Sequence, residues 1–208
     1  MLKVLRDYYT AKNYPWWSNP YDLNIFGLRV EGNADLWNDT IGIAYFDGSD
    51  YRIERWVGTT TPGVRYLEQP MNSAGSFILA PGYHRSAWTT GKHNGDYPAL
   101  VQVGEFKYWR DNDRDAVPEA LGNLLTGTGN GVNLHHGGDS SKVGAYSAGC
   151  QVVRYKKALE RIMALAEKQK ESGHGSKYSY CLIDVKDDYQ FKPFCLTDEK
   201  EATAVYSK

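Results

Sequence analysis

Two short segments of this chain could bring a thiol and an imidazole together. One is Gly131-Val132-Asn133-Leu134-His135-His136-Gly137-Gly138; the other, after a polar loop to Val143-Gly144, is Ser147-Ala148-Gly149-Cys150-Gln151. A thiol attacks only as its thiolate, and a free thiol has a pKa of about 8.5, so a catalytic cysteine needs a nearby imidazole to take its proton. Cys150 is therefore a candidate nucleophile, with His135 or His136 as its base. Small residues before Cys150 let a substrate backbone approach, and a turn at Gly149 can present the N–H groups of Gly149 and Cys150 to a developing oxyanion. Ser147, Gln151 and Arg154 flank the nucleophile as candidate substrate-binding groups. A helix expected to begin about three residues after Cys150 would add positive potential beside the sulfur and lower its pKa.

The elements that must hold these residues are mostly strands. Short apolar runs bounded by turn residues occupy 23–30, 40–46, 51–57, 76–79, 83–88 and 99–109, the last broken near Gly104. Asp47-Gly48 reads as a hairpin turn, and Pro62-Gly63, Pro81-Gly82 and Asn94-Gly95 are similar punctuation. A short helix is expected over 115–125, started by Asp115 with Pro118 in its first turn. Residues 131–136 and 178–185 read as further strands. One long helix is expected over 153–171, because Leu159, Ile162, Met163 and Ala166 recur at i, i+3, i+4 and i+7. Residues 1–22, with Tyr14-Pro15-Trp16-Trp17 and Pro20, read as a wrapping segment around a single domain over 23–208.

Composition agrees with a β-rich domain and narrows the partners. Sixteen Tyr, 6 Trp and 6 Phe favour strands, while 21 Gly favour tight turns. The 24 basic and 25 acidic residues nearly cancel to a net charge of −1, which removes the electrostatic attraction that nucleic-acid binders use. No stretch approaches the roughly 20 apolar residues of a membrane-spanning helix, and the first residues carry no export signal. Three cysteines are an odd number, so at least one is free or pairs with another chain.

Leu134-His135 and Ser147-Ala148-Gly149-Cys150 resemble the signature of the L,D-transpeptidases with a YkuD-type catalytic domain: an apolar residue, a His, a loop, then Ser-x-Gly-Cys. The match covers residues 131–154, with a looser likeness in Thr61-Pro62-Gly63 and Gly75-Ser76-Phe77-Ile78. Asn24-Ile25-Phe26-Gly27-Leu28-Arg29, Thr59-Thr60-Thr61-Pro62-Gly63 and the cysteine segment together look like a phage- or prophage-encoded branch. Two departures stand out: Gln151-Val152-Val153 delays the basic residue to Arg154, and His136 stands where the family commonly has Gly.

The resemblance implies a mainly β fold, sandwich- or barrel-like, with one long α-helix after the cysteine. It also implies a thioester mechanism on peptidoglycan stem peptides, without a cofactor or metal. His135 would be the base, oriented by the backbone carbonyl of His136. Water as acceptor makes an L,D-carboxypeptidase or endopeptidase, and an amine makes a transpeptidase; a phage-like origin favours hydrolysis. Such a protein is expected to be made in the cytoplasm and to meet the cell wall after release or delivery.

Other residues read as ordinary structure. Cys181 and Cys195 lie in apolar runs and are expected to be small buried hydrophobes. His84 and His93 are expected to be hydrogen-bonded core or surface residues. His136 is expected to support His135, with a spare base and a solvated residue as its other readings. A rival metal site would combine His84, His93, His135 or His136 with an Asp, making a metal-dependent peptidase, but no His-Glu-x-x-His or Cys-x-x-Cys spacing favours it. Asp111-Asn112-Asp113-Arg114-Asp115 begins like a calcium loop, yet Ala116 stands where the loop needs Gly. A third class of function is a cell-wall-binding or virion-structural protein with a relic catalytic fold.

Overall fold

The computed structural model describes residues 1–30, 32, 34–196 and 202–207; residues 31, 33, 197–201 and 208 of the expected domain lie outside the described residues. Strands β1 (Asn24–Arg29), β2 (Asp39–Phe46) and β3 (Asp50–Thr59) form a meander, with Asp47 Oδ1 accepting the N–H groups of Ser49 and Asp50 in the turn between β2 and β3. They are followed by β4 (Ser76–Leu79), β5 (Gly82–His93), β6 (Tyr97–Gln102), β7 (Phe106–Asp111) and β8 (Leu125–Gly127). The remaining strands are β9 (Leu134–His136), β10 (Gln151–Val153), β11 (Lys177–Asp184) and β12 (Ala202–Ser207). Three α-helices, α1 (Leu2–Ala11), α2 (Val64–Glu68) and α3 (Lys156–Glu171), and two short 3-10 helices, Gly144–Tyr146 and Tyr189–Phe194, complete the described elements.

Nine strands form one mixed sheet in the order β10-β9-β6-β5-β11-β1-β2-β3-β12, and β10 also pairs with β3. The sheet therefore closes on itself from β10 round to β3, with β12 left as an added edge. Closure depends on short pairings: Val152 with Thr59 and Val153 with Gly58 on one side, and Leu100 with Leu134 between β6 and β9. Gly58 permits it, since a Cβ there would lie 2.4 Å from the carbonyl oxygen of Val152. A second sheet, β4-β7-β8, stands beside the first.

Alternation along the strands sends side chains to two faces, and each face has its own core. Ile25, Ile41, Ile43, Trp88, Leu100, Leu134, Val153 and Leu182 pack with Leu159, Ile162, Leu165 and Ala166 of α3. Phe26, Leu28, Cys181 and Ile183 pack on the other face with Leu2, Leu5, Tyr8 and Tyr9 of α1. Burial of side chains of this size contributes about 1.5–3 kcal/mol each, which fixes the strand register beneath the site.

Two expectations are corrected. No helix forms over 115–125; residues 112–124 are turns and irregular chain, and Val117 and Leu124 are exposed, so this segment has no apolar face to bury. The long helix begins at Lys156 rather than near 153, because Val152 and Val153 are taken by β10. Cys150 therefore precedes a strand, and the expected helix potential at its sulfur is absent.

Candidate active site

β9 and β10 run parallel, with Gln151 opposite Leu134 and Val152 opposite His135, and this pairing brings the two motifs side by side. The loop before β10 is held from behind. The carbonyl of Ser147 accepts the N–H of Gly63, and Asp35 Oδ1 accepts the N–H groups of Val64 (3.0 Å) and Gly144 (2.8 Å). The Thr-Pro-Gly segment singled out in the sequence is thus the support on which the cysteine loop rests.

Cys150 and His135 line one cavity of about 470 Å³, together with His93, Arg110, Gly131 and Tyr146 among others. Cys150 is half-buried. Its Sγ accepts the N–H of Asn133 at 3.4 Å, and the thiol donates toward the carbonyl of Gly131 at 3.5 Å. Burial pushes the thiol up to about 11, a rise that the Asn133 N–H opposes.

His135 is 2% exposed. Its Nδ1 lies 2.8 Å from the carbonyl oxygen of His136 and 3.2 Å from the Tyr97 hydroxyl. A carbonyl only accepts, so Nδ1 carries the hydrogen and Nε2 the lone pair. Nε2 is buried without a hydrogen-bond partner. Burial, reinforced by the neighbouring His93, holds the imidazole down to about 3, so it is neutral at pH 7.

His136 points the other way, as alternation along a strand requires. Its Nδ1 approaches the carbonyl of Gly137 at 2.6 Å and its ring lies 4.5 Å from that of Tyr97, outside the cavity lining. Of the two histidines, His135 shares the cavity with Cys150, while His136 supplies the carbonyl that orients it.

The flanking residues differ from expectation. Ser147 is fully buried, donates to the carbonyl of Cys150 at 2.9 Å and accepts the N–H of Gly149 at 3.2 Å; it shapes the turn rather than meeting a substrate. That bond occupies the Gly149 N–H expected in the oxyanion site. Gly149 has φ +128°, and a Cβ there would lie 2.7 Å from Phe77 Cβ and 2.8 Å from Phe77 O. The turn therefore accepts only glycine. Gln151 is also fully buried, accepting the Tyr180 hydroxyl at 2.8 Å, because it faces the interior of the closed sheet. Arg154 follows the end of β10 with its guanidinium 5.2 Å from the Tyr155 ring, and it does not line the cavity.

Two further residues join the site in roles that their sequence positions did not announce. His93, at the end of β5, stacks on His135 with ring centroids 3.9 Å apart and 20° between planes. Asn133 Oδ1 accepts the N–H of Gln102 at 3.0 Å, so its amide nitrogen donates to His93 Nδ1 at 3.1 Å. Asn133 thereby contacts both the sulfur, through its backbone, and the second imidazole, through its side chain. A signal existed for it in the expected strand over 131–136, where alternation puts positions 133 and 135 on one face, although the strand that forms, β9, begins only at Leu134.

His84 is remote, buried with Nε2 3.0 Å from the Ala80 carbonyl and its ring 5.0 Å from that of Phe106. Among the described residues, Asp113, Asp115 and Glu119 are the one acidic or His/Cys group close enough to share a cation, and all three are exposed. No helix among the described residues is long and apolar enough to cross a membrane. In comparisons with known proteins, no family model, curated protein or solved structure matches this chain.

Proposed function

We propose that this chain is a cysteine acyl-transfer enzyme acting on peptidoglycan stem peptides, of L,D-transpeptidase type and phage or prophage kind, meeting the wall after release or delivery. The observation that carries the reading is the shared cavity: Cys150 and His135 both line it, and the one nitrogen of His135 left without a partner is the lone-pair nitrogen Nε2.

With the thiol pushed to about 11 and the imidazole held to about 3, the resting pair is neutral. Proton transfer then accompanies attack instead of preceding it. Nε2 takes the thiol proton as Sγ bonds to the carbonyl carbon of the substrate peptide, and the carbonyl oxygen becomes an oxyanion. The N–H of Cys150 is its donor, since that of Gly149 is held by Ser147. The carbon–nitrogen bond breaks, the amine leaves with the proton from Nε2, and a thioester remains on Cys150. Water or an amine attacks the thioester, Nε2 takes its proton and returns it to sulfur, and an acid or a new peptide is released.

Cys150→Ala and His135→Ala proteins should each lose turnover of defined muropeptides while remaining folded, as judged by a cooperative thermal transition. Full activity in Cys150→Ala would overturn the thioester mechanism. The raised thiol pKa favours a second reading, a wall-binding or virion-structural protein with an idle cysteine. That reading predicts peptidoglycan binding unchanged by Cys150→Ala, with no turnover in the parent.

A further inference from the structure

We propose that Arg110 is the anion-binding end of the Cys150 cavity, a specificity-determining residue that selects substrates carrying a free carboxylate. The inference rests on the reading of Cys150 as nucleophile and adds what lies beside the scissile bond. Among the described residues that line the cavity, Arg110 is the only one with a permanent charge, and no Asp or Glu joins it there.

The guanidinium is held by neutral groups. Nη1 donates to the carbonyl of Gly75 at 3.2 Å and Nη2 to Asn130 Oδ1 at 2.8 Å. Its carbon lies 5.5 Å from the ring centre of Phe77 and 5.1 Å from that of Tyr108. A guanidinium has five N–H donors, so this cradle fixes its plane and leaves donors for a carboxylate, which it matches in a bidentate fork. No carboxylate among the described residues forms an ion pair with it.

Two short bridges tie this cation to the thiol. Asn130 binds the guanidinium, and its chain neighbour Gly131 accepts from the Cys150 thiol. Phe77, paired with Arg110 across β4 and β7, packs its Cβ and carbonyl against Gly149, the residue before the cysteine. Sheet pairing of Phe77 with Arg110 holds the guanidinium side of this arrangement, and the loop residues Asn130, Gly131 and Gly149 connect it to Cys150. A peptide whose carbonyl sits at Cys150 would meet Arg110 with a carboxylate a short way along, either its terminal α-carboxylate or a side-chain one.

The test uses the full chain and compares alkylation of Cys150 by iodoacetate, an anion, with that by neutral iodoacetamide, each adduct located by peptide mass mapping. At pH 8 His93 and His135 are neutral, so Arg110 is the cation the anionic reagent meets. The ratio of the two rates should fall about tenfold in Arg110→Gln, the factor that roughly 1.4 kcal/mol of charge-assisted hydrogen bonding represents, and fall less in Arg110→Lys, which keeps the charge but loses the bidentate fork. In the unaltered protein, added salt should lower the same ratio. Stem peptides amidated at the C-terminus or at the side-chain carboxyl, compared by kcat/KM in parent and Arg110→Gln proteins, identify which carboxylate is read: the preference for that free carboxylate should vanish in the variant. Equal reagent ratios in all three proteins would overturn the assignment of Arg110 while leaving the nucleophile reading intact. A Cys150 inert to both reagents would overturn the nucleophile reading, and this inference with it.

Discussion

His93, at the end of β5, and His135 of β9 lie face to face, 3.9 Å between ring centroids, although β6 stands between their strands in the sheet. Two imidazoles so close cannot both accept protons without repulsion, and His93 is among the causes that hold His135 below its ordinary value, after burial. Replacing His93 by Phe keeps a ring of similar size and removes the titrating neighbour. The pKa of His135 should then rise, as followed by NMR titration of its imidazole signals. An unchanged titration would show that the stack has no electrostatic role.

The thiol's own titration gives a second expectation. Because burial keeps Cys150 protonated up to about 11, its alkylation rate should keep rising with pH through 9. Cys181, fully buried under α1, should react more slowly at every pH. A rate that levels off below pH 7 would mean a thiolate and imidazolium at rest, contrary to the neutral pair described above.

Gly149→Ala places a methyl against Phe77 Cβ at 2.7 Å and forces a non-glycine residue to φ +128°. The strain is on the order of 1–3 kcal/mol, and relieving it must move either β4 or the cysteine. Both the denaturant midpoint and the Cys150 alkylation rate should change; a variant matching the parent in both would refute the close packing.

Ser147→Ala removes the hydroxyl that donates to Cys150 O and accepts from Gly149 N. Loss of these buried bonds should cost about 1–3 kcal/mol in denaturant unfolding. If Ser147 instead bound substrate, KM would rise with stability unchanged.

A pH dependence of stability follows from His84, whose pKa burial lowers from 6.5 to about 4. Above pH 6.5 it is neutral in both folded and unfolded chains. Between about 6.5 and 4 the unfolded chain takes a proton that the folded chain refuses, so its contribution, on the order of 3 kcal/mol, is lost as pH falls. His84→Gln should flatten the decline of unfolding free energy across that window relative to the parent. Parallel curves would contradict the buried neutral imidazole.

Strands with a clear apolar face were legible in the sequence: residues 76–79 coincide with β4, and the runs at 23–30, 40–46 and 51–57 contain most of β1, β2 and β3. The break at Gly104 separates β6 from β7. β10 was not legible, because three residues are too few to show a period and Val153 fits the helical pattern that follows. Asp115 and Pro118 are good helix-start signals, but without an apolar stripe they start nothing that can be buried. Within the site, His135 and Cys150 were readable from local motifs. His93 entered only in the rival metal set, Phe77 only in the looser likeness at 75–78, and Arg110 not at all, because hairpin and sheet pairing across tens of residues brings them there. The buried roles of Ser147 and Gln151 likewise depend on the closed sheet behind the motif, which local spacing does not encode.

Acyl transfer to the Cys150 sulfur is tested most directly by intact-protein mass spectrometry during turnover of a defined muropeptide. The prediction is a transient adduct equal to the peptide minus its leaving amine, mapped to Cys150, released by hydroxylamine and absent from Cys150→Ala. Turnover of the same muropeptide at the parent rate by Cys150→Ala, with no adduct on the parent, would contradict it.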